Sequence, residues 1–228
     1  MTDALQPETS PERLRIDVWA DIVCPWCYVG EARLHRAALD SGLPIEVVVH
    51  AFELDPHQER PERVLDMLSR KYGVSEQDAQ SMDERVAALA RAEGLPYVSD
   101  RVTANTFDAH RLIAAAAEAG RGLEVRAAIQ RGHFCGELDL SSHDDLVAAA
   151  VSAGLDRDLA ARVLDGEDYA AAVLWDQEQA RELGATGVPF TVVGGRIAIP
   201  GCVEANQYRQ IIEQVAAQRA ADEESVRA

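Results

Sequence analysis

The chain has no apolar run of about 18 residues, the length a membrane-crossing helix needs. Its opening stretch, MTDALQPETSPERLR, lacks the apolar core of a secretory leader, so a cytoplasmic location is expected. Cysteine is scarce. Four in 228 residues are too few to staple a domain of this length, and in a reducing compartment a close pair serves catalysis or metal binding more readily than structure. Base is outnumbered by acid, with 22 Lys and Arg against 39 Asp and Glu and a formal net charge of −17. Such a surface repels phosphate backbones and anionic lipid headgroups, so neither nucleic acid nor membrane is an expected partner. The acid is spread along the chain and serves as a solvated coat. The hydrophobic fraction, 47%, is ordinary for a globular protein, and the length suits one core carrying a large insertion.

RLRIDVWADIV, with Ile16, Val18, Trp19, Ile22 and Val23, has the β-branched and aromatic density of a buried strand. Two cysteines follow at once, Cys24 and Cys27, and then YVGEARLHRAALDSG at helical spacing, stopped by Gly42. LPIEVVVHAFELDP is a second strand. From Pro61 to about Gly184 the pattern turns helical, with helices expected near 61–72, 75–93, 106–119, 121–135, 143–153, 156–164 and 167–183. Strand texture returns at Phe190–Val193. Gly194-Gly195 has hairpin-turn chemistry, Arg196–Ile199 continues as a strand, and EANQYRQIIEQVAAQ closes the chain as a helix. The layout is βαβ, a helical block, then ββα. Residues 14–60 and 184–219 form one discontinuous domain, 61–183 a helical insertion or cap, and 1–13 and 220–228 flexible tails.

A cysteine at the mouth of a helix faces unpaired backbone N–H groups and the positive end of the helix dipole, and both favour thiolate over thiol. Pro25 suits the first helical turn. Cys24 is therefore the expected nucleophile, and Cys27, one turn on, the thiol that resolves a mixed disulfide. Pro25 and Trp26 set the environment of the pair, and with it the potential, whose direction the sequence does not reveal. A structural disulfide suits a strand-to-helix turn poorly. A zinc site needs two more ligands, for which only His133, Cys135 and His143 offer themselves, far along the chain. No metal or bound cofactor is expected. TGVPF is the second element: a cis bond at Val188–Pro189 exposes the Val188 backbone to an incoming substrate chain.

Together these segments resemble a known family. The CxxC helix, the GVP before a hairpin and the closing helix are similar to the thioredoxin fold, and the helical insertion is similar to its DsbA branch. DIVCPWCYVG, NTFDAHRL at 105–112 and GVPFTVVGGRIAIPG resemble the FrnE-type cytoplasmic DsbA-like oxidoreductases, over roughly 14–217. The resemblance implies an α/β thioredoxin fold, βαβ…ββα, with a large α-helical insertion capping the active site. It implies thiol–disulfide exchange on protein or small-molecule thiols, with Cys24 as nucleophile, Cys27 as resolving thiol, Pro189 as cis-proline and a Cys24–Cys27 disulfide as the redox centre. A sister group on the same scaffold, the 2-hydroxychromene-2-carboxylate isomerases and kappa-class glutathione transferases, typically has serine first and binds glutathione. The second cysteine argues against that alternative, because a dithiol completes a two-electron cycle unaided. Glutathione remains a candidate substrate. A third alternative is a non-enzymatic, redox-responsive binding protein.

Asn105 and Thr106 are read as a helix N-cap pair. His110 is read first as a packed or surface histidine, and otherwise, with Asn105, as a group under the cap that touches substrate or tunes Cys24. Asp21 is either a proton acceptor for Cys27 or a cap on the strand end. Cys135 is expected to pack as a small buried hydrophobe. Cys202 stands where the FrnE-type pattern more often has a small residue, and a second redox pair with Cys135 has no support. Homodimerisation is compatible with the chain but marked by no sequence signal.

Overall fold

The computed structural model of the protein describes residues 13–227. Strand β1 (Leu14–Ala20) runs directly into a turn and then helix α1 (Pro25–Ser41), which ends at Gly42 in a left-handed conformation (φ 65°). Strand β2 (Ile45–Ala51) returns parallel to β1. The insertion opens with a two-residue strand β3 (Glu62–Arg63), helices α2 (Val64–Tyr72) and α3 (Glu76–Ala92), and strand β4 (Val102–Thr103), which pairs antiparallel with β3. Helices α4 (Phe107–Glu118), α5 (Gly122–Cys135), α6 (His143–Ser152), α7 (Arg157–Asp165) and α8 (Ala170–Glu182) follow. Hairpin β5 (Phe190–Val193) and β6 (Ile197–Pro200) leads to helix α9 (Ala205–Arg227). The main sheet is mixed, in the order β2-β1-β5-β6.

Local chemistry explains these boundaries. Ser75, Ser142 and Asp156 accept the N–H three residues on and so cap α3, α6 and α7. Gly194 and Gly195 both have positive φ, 58° and 66°, which lets the strands turn tightly. Arg196 belongs to that turn, so β6 starts one residue later than expected. The β3–β4 pair was not expected, because two-residue strands leave no periodic pattern. Helix α9 continues to Arg227, past the end expected at 219; its apolar face, with Tyr208, Ile212 and Val215, is already anchored and the alanine-rich continuation favours helix. Apart from Arg13, the expected N-terminal tail lies outside the described residues.

Leu14, Ile16 and Val18 point to one face of the sheet and pack with Leu34 and Ala37 of α1 and Tyr208, Ile212 and Val215 of α9. Trp19 faces the other side and packs with Phe190 and Ala180 of α8. The insertion has its own core, built from α4 to α7, and Ile22 from the turn after β1 is part of it. A third cluster joins the insertion to α1: Tyr28 stacks on Phe134 of α5 with centroids 4.4 Å apart, and Val29 packs with Val86, Ala87 and Ala90 of α3. The insertion is therefore fastened on both sides of the two cysteines.

Candidate active site

Cys24 is the N-cap of α1, with Pro25 next to it in the first turn. The Cys27 N–H donates to the Cys24 sulfur at 3.3 Å, which offers a developing thiolate a fixed donor at the positive end of the helix. The Cys24 thiol in turn donates to the Val188 carbonyl at 3.7 Å, and the Val188–Pro189 peptide is cis. So β5 delivers TGVPF to the mouth of α1, although 164 positions separate the two residues. Gly30, one turn beyond Cys27, faces Pro189 and Cys202: a Cβ there would stand in ordinary contact, 3.4 Å from Pro189 Cγ and 3.6 Å from the Cys202 sulfur.

The two thiols differ in setting. Cys24 is 3% exposed and lines a cavity, whereas Cys27 is fully buried. Both are free thiols here. Burial first, and then the neighbouring Cys24 sulfur, push the Cys27 thiol well above the ordinary cysteine range. Trp26 stands 44% exposed at the cavity's edge.

Asp21 is buried, and its carboxylate accepts the Leu54 N–H at 2.7 Å, with His110 Nε2 at 3.4 Å. Burial raises its pKa, but His110, the Leu54 amide and the Thr106 hydroxyl outweigh that and hold it below the usual carboxylate range. The Asp21 backbone lowers the Cys27 thiol's pKa slightly, against the larger upward push of burial. The carboxylate thus ties the chain leaving β2 to the turn after β1, and Asp21 also lines the cavity that holds Cys24. His110 is buried, with its Nε2 facing the Asp21 carboxylate. Asn105 is also set back: its side chain donates to Glu53 at 3.1 Å and accepts the Phe107 N–H at 2.9 Å, starting α4 by its own turn instead of through a Thr106 side-chain cap. It does not line the cavity that holds Cys24. Asn105 was expected under the cap near the cysteines, but Glu53, 52 positions away in sequence, holds its side chain clear of that cavity; His110 fits its first reading, a packed histidine, with Asp21 as its partner.

Cys202 lies on the near side of the sheet, where the buried Arg33 guanidinium reaches its sulfur at 3.7 Å and the Val203 carbonyl at 3.4 Å. Burial, more than Arg33 opposes, pushes its thiol up. Cys135 ends α5 half-buried instead of sitting in a core. Among the described residues no group of three His, Cys, Asp or Glu is placed to hold a metal ion.

Three features had no clear sequence signal. Arg126 of α5 is buried and pairs bidentately with Glu31 of α1, at 2.5 and 2.9 Å, one turn beyond Cys27. His133 is buried with neither ring nitrogen bonded, and desolvation pushes its pKa down to about 3, keeping it neutral. Glu31 could have been singled out by its i+4 spacing from Cys27, but its partner comes from 95 residues away. The third feature is a cavity of about 740 Å³ between the CPWC turn and helices α2 and α3, with Cys24 and Val188 in its wall.

The family model described as DSBA-like thioredoxin domain matches residues 15–213. A structure from Streptomyces coelicolor described as a "probable DsbA oxidoreductase" is 40% identical, with a TM-score of 0.86, covering 90% of this chain and 91% of that one. The cytosolic disulfide reductase DsbM from Pseudomonas aeruginosa, solved with GSH, is 21% identical with a TM-score of 0.59 over 94% of this chain and all of its own. A 2-hydroxychromene-2-carboxylate isomerase is 18% identical with a TM-score of 0.59, covering 94% and 99%; these last two show the fold alone. Among curated proteins no significant relative matches the chain.

Proposed function

Since the chain belongs to the DSBA-like thioredoxin domain family, we propose that it is a FrnE-type, cytoplasmic thiol–disulfide oxidoreductase whose redox centre is the Cys24–Cys27 pair. The observation that carries this reading is the position of the Cys24 sulfur, between the N-terminus of α1 and the Val188 carbonyl, at the wall of a cavity large enough for substrate.

The cycle follows from the unequal burial of the two thiols. Cys24, as thiolate, attacks one sulfur of a substrate disulfide; the S–S bond breaks and the leaving sulfur departs as a thiolate. Cys27 then loses its proton and attacks the Cys24 sulfur of the mixed disulfide. The Cys24–Cys27 bond forms, the second substrate sulfur leaves, and two electrons have passed to the substrate. Run backwards, the same steps oxidise a substrate dithiol. Val188 presents its backbone beside Cys24, where the mixed disulfide is held. Protein disulfides and small disulfides such as oxidised glutathione both fit this chemistry, and the GSH held by DsbM supports the latter. Possession of both thiols favours an exchange enzyme over a glutathione-dependent isomerase, which needs only one activated thiol.

The test is a pair of variants. Cys24→Ser should abolish exchange with insulin and with small disulfides. Cys27→Ala should accumulate a mixed disulfide on Cys24, visible by mass spectrometry. Undiminished turnover by Cys24→Ser would refute the assignment.

A further inference from the structure

The cavity beside Cys24 carries a chemistry unlike the rest of the surface. Its walls are apolar on the cap side: Val64, Met67 and Leu68 from α2, and Met82 and Val86 from α3. Trp26 and Tyr72, both substantially exposed, also line it. Methionine and aromatic walls accept apolar bodies of varied shape. The cavity also gathers cations. Arg70, Lys71, Arg85 and Arg101 line it, in a chain where acid outnumbers base 39 to 22. Arg101 is spent on Asp83, and Arg70 on Glu62 at 2.5 Å. Among the described residues Lys71 and Arg85 have no hydrogen-bond or ion-pair partner. Two acids of the wall are paired, Asp21 with His110 and the Leu54 amide and Asp83 with Arg101; the third, exposed Asp55, accepts the His57 amide and, among the described residues, pairs with no cation, so the basic groups still outnumber it. At about 740 Å³ the space matches a small-molecule site.

We infer that the preferred substrate is a low-molecular-weight disulfide with an apolar or aromatic body and a carboxylate, the body lying against Met67, Met82 and Trp26 and the carboxylate meeting Lys71 and Arg85. This rests on the exchange reading above and narrows it. The prereduced protein is the reductant: Cys24 takes one half of the disulfide and releases the other as a thiolate, Cys27 displaces the bound half, and one Cys24–Cys27 disulfide forms for every two thiols released. A hydrophilic tripeptide thiol leaves the apolar wall unfilled, and an extended polypeptide has no carboxylate to offer it except at a terminus or an acidic side chain.

Two measurements test this. In single turnovers of the prereduced protein, 5,5′-dithiobis(2-nitrobenzoate), which is aromatic and carboxylated, is compared with uncharged 4,4′-dithiodipyridine. The Lys71→Ala/Arg85→Ala variant changes two exposed side chains, and its ratio of second-order rate constants, carboxylated over uncharged, should fall about tenfold from the wild-type ratio. Separately, calorimetry on Cys24→Ser protein reads binding of the carboxylated probe without chemistry. Saturable binding that weakens about tenfold in Cys24→Ser/Lys71→Ala/Arg85→Ala is expected. An unchanged rate ratio, or no binding by Cys24→Ser, overturns the inference. If wild-type protein reacts with neither probe nor with insulin, the exchange reading itself fails, and the calorimetry still decides what the cavity binds.

Discussion

His50 offers a quantitative check on how the sheet is held beneath this site. It lies on β2, an edge strand, with Nε2 on Asp17 of β1 and Nδ1 on Asp176 of α8, both at 2.8 Å. Its ring stacks on Trp19 at 4.5 Å, and the Trp19 indole N–H donates to the Asp176 carbonyl. Burial alone lowers the imidazole pKa, but the two carboxylates outweigh it and raise the value from 6.5 to about 9. A rise of that size is worth about 3 kcal/mol, and solvent at the ring's exposed edge brings this to roughly 2–3 kcal/mol. The folded pKa lies above the unfolded one, so this stability is fully present below about pH 6.5 and is lost as pH rises through about 9. The test is urea unfolding of wild type and His50→Gln at several pH values, followed by tryptophan fluorescence. Their difference in unfolding free energy should be about 2–3 kcal/mol at pH 6, shrink by about 1 kcal/mol per pH unit above pH 6.5, and vanish by about pH 9.5. A difference independent of pH, or one that grows with pH, would refute the argument.

Three further outcomes are expected. Because burial and the adjacent sulfur hold the Cys27 thiol up, iodoacetamide should modify Cys24 before Cys27, and closure of the mixed disulfide should quicken with rising pH by up to about tenfold per unit between about pH 7 and 9; stopped-flow closure flat in pH sinks this. Arg126→Met leaves Glu31 unpaired beside Cys27 and should cost about 3 kcal/mol in urea unfolding, most of it restored by adding Glu31→Gln. Gly194→Ala puts a Cβ 2.7 Å from Val215 Cγ1 at φ +58° and should cost about 2–3 kcal/mol, whereas Gly195→Ala, at similar φ but in open space, should cost only about 1 kcal/mol.

The helices of the insertion were legible to within a few residues because alanine, leucine and charge recur at helical spacing and are punctuated by Gly73, Gly94, Gly120 and Gly154, all with positive φ in the structure. The place of Cys24 at the mouth of α1 was legible because a strand, a cysteine and a proline in succession have few ways to fold. What stayed hidden depends on partners distant in sequence. Asn105 and His110 sit in a segment that looks like a helix start, and nothing local tells that Glu53 and Asp21 will claim their polar atoms. The Glu31–Arg126 pair and the cavity wall from α2 and α3 likewise exist only once the insertion has docked. A half-buried Cys135 and a Cys202 under Arg33 follow from the same docking and from the path of the chain after β6.

That docking ties recognition to chemistry. Ile22 enters the core of the insertion two residues before Cys24, and Tyr28 stacks on Phe134 one residue after Cys27. Arg101 lies over the Tyr97 and Phe134 rings, at 4.5 and 4.9 Å, while bonded to Asp83, so the cap's own buried ion pair sits on the same aromatic stack. The cavity wall and the Cys24 sulfur are consequently parts of one packed unit. A side chain on α2 or α3 that meets substrate does so at a distance from Cys24 set by the core, not by a loose lid. This is the preorganisation that a short-lived mixed disulfide requires, since the attacking thiol must be aligned when the substrate arrives. It also lets an acidic protein line this cavity with basic groups: the charge nearest Cys24 is the local set on two helices held against the CPWC turn, and the net −17 acts from farther away, across screening solvent.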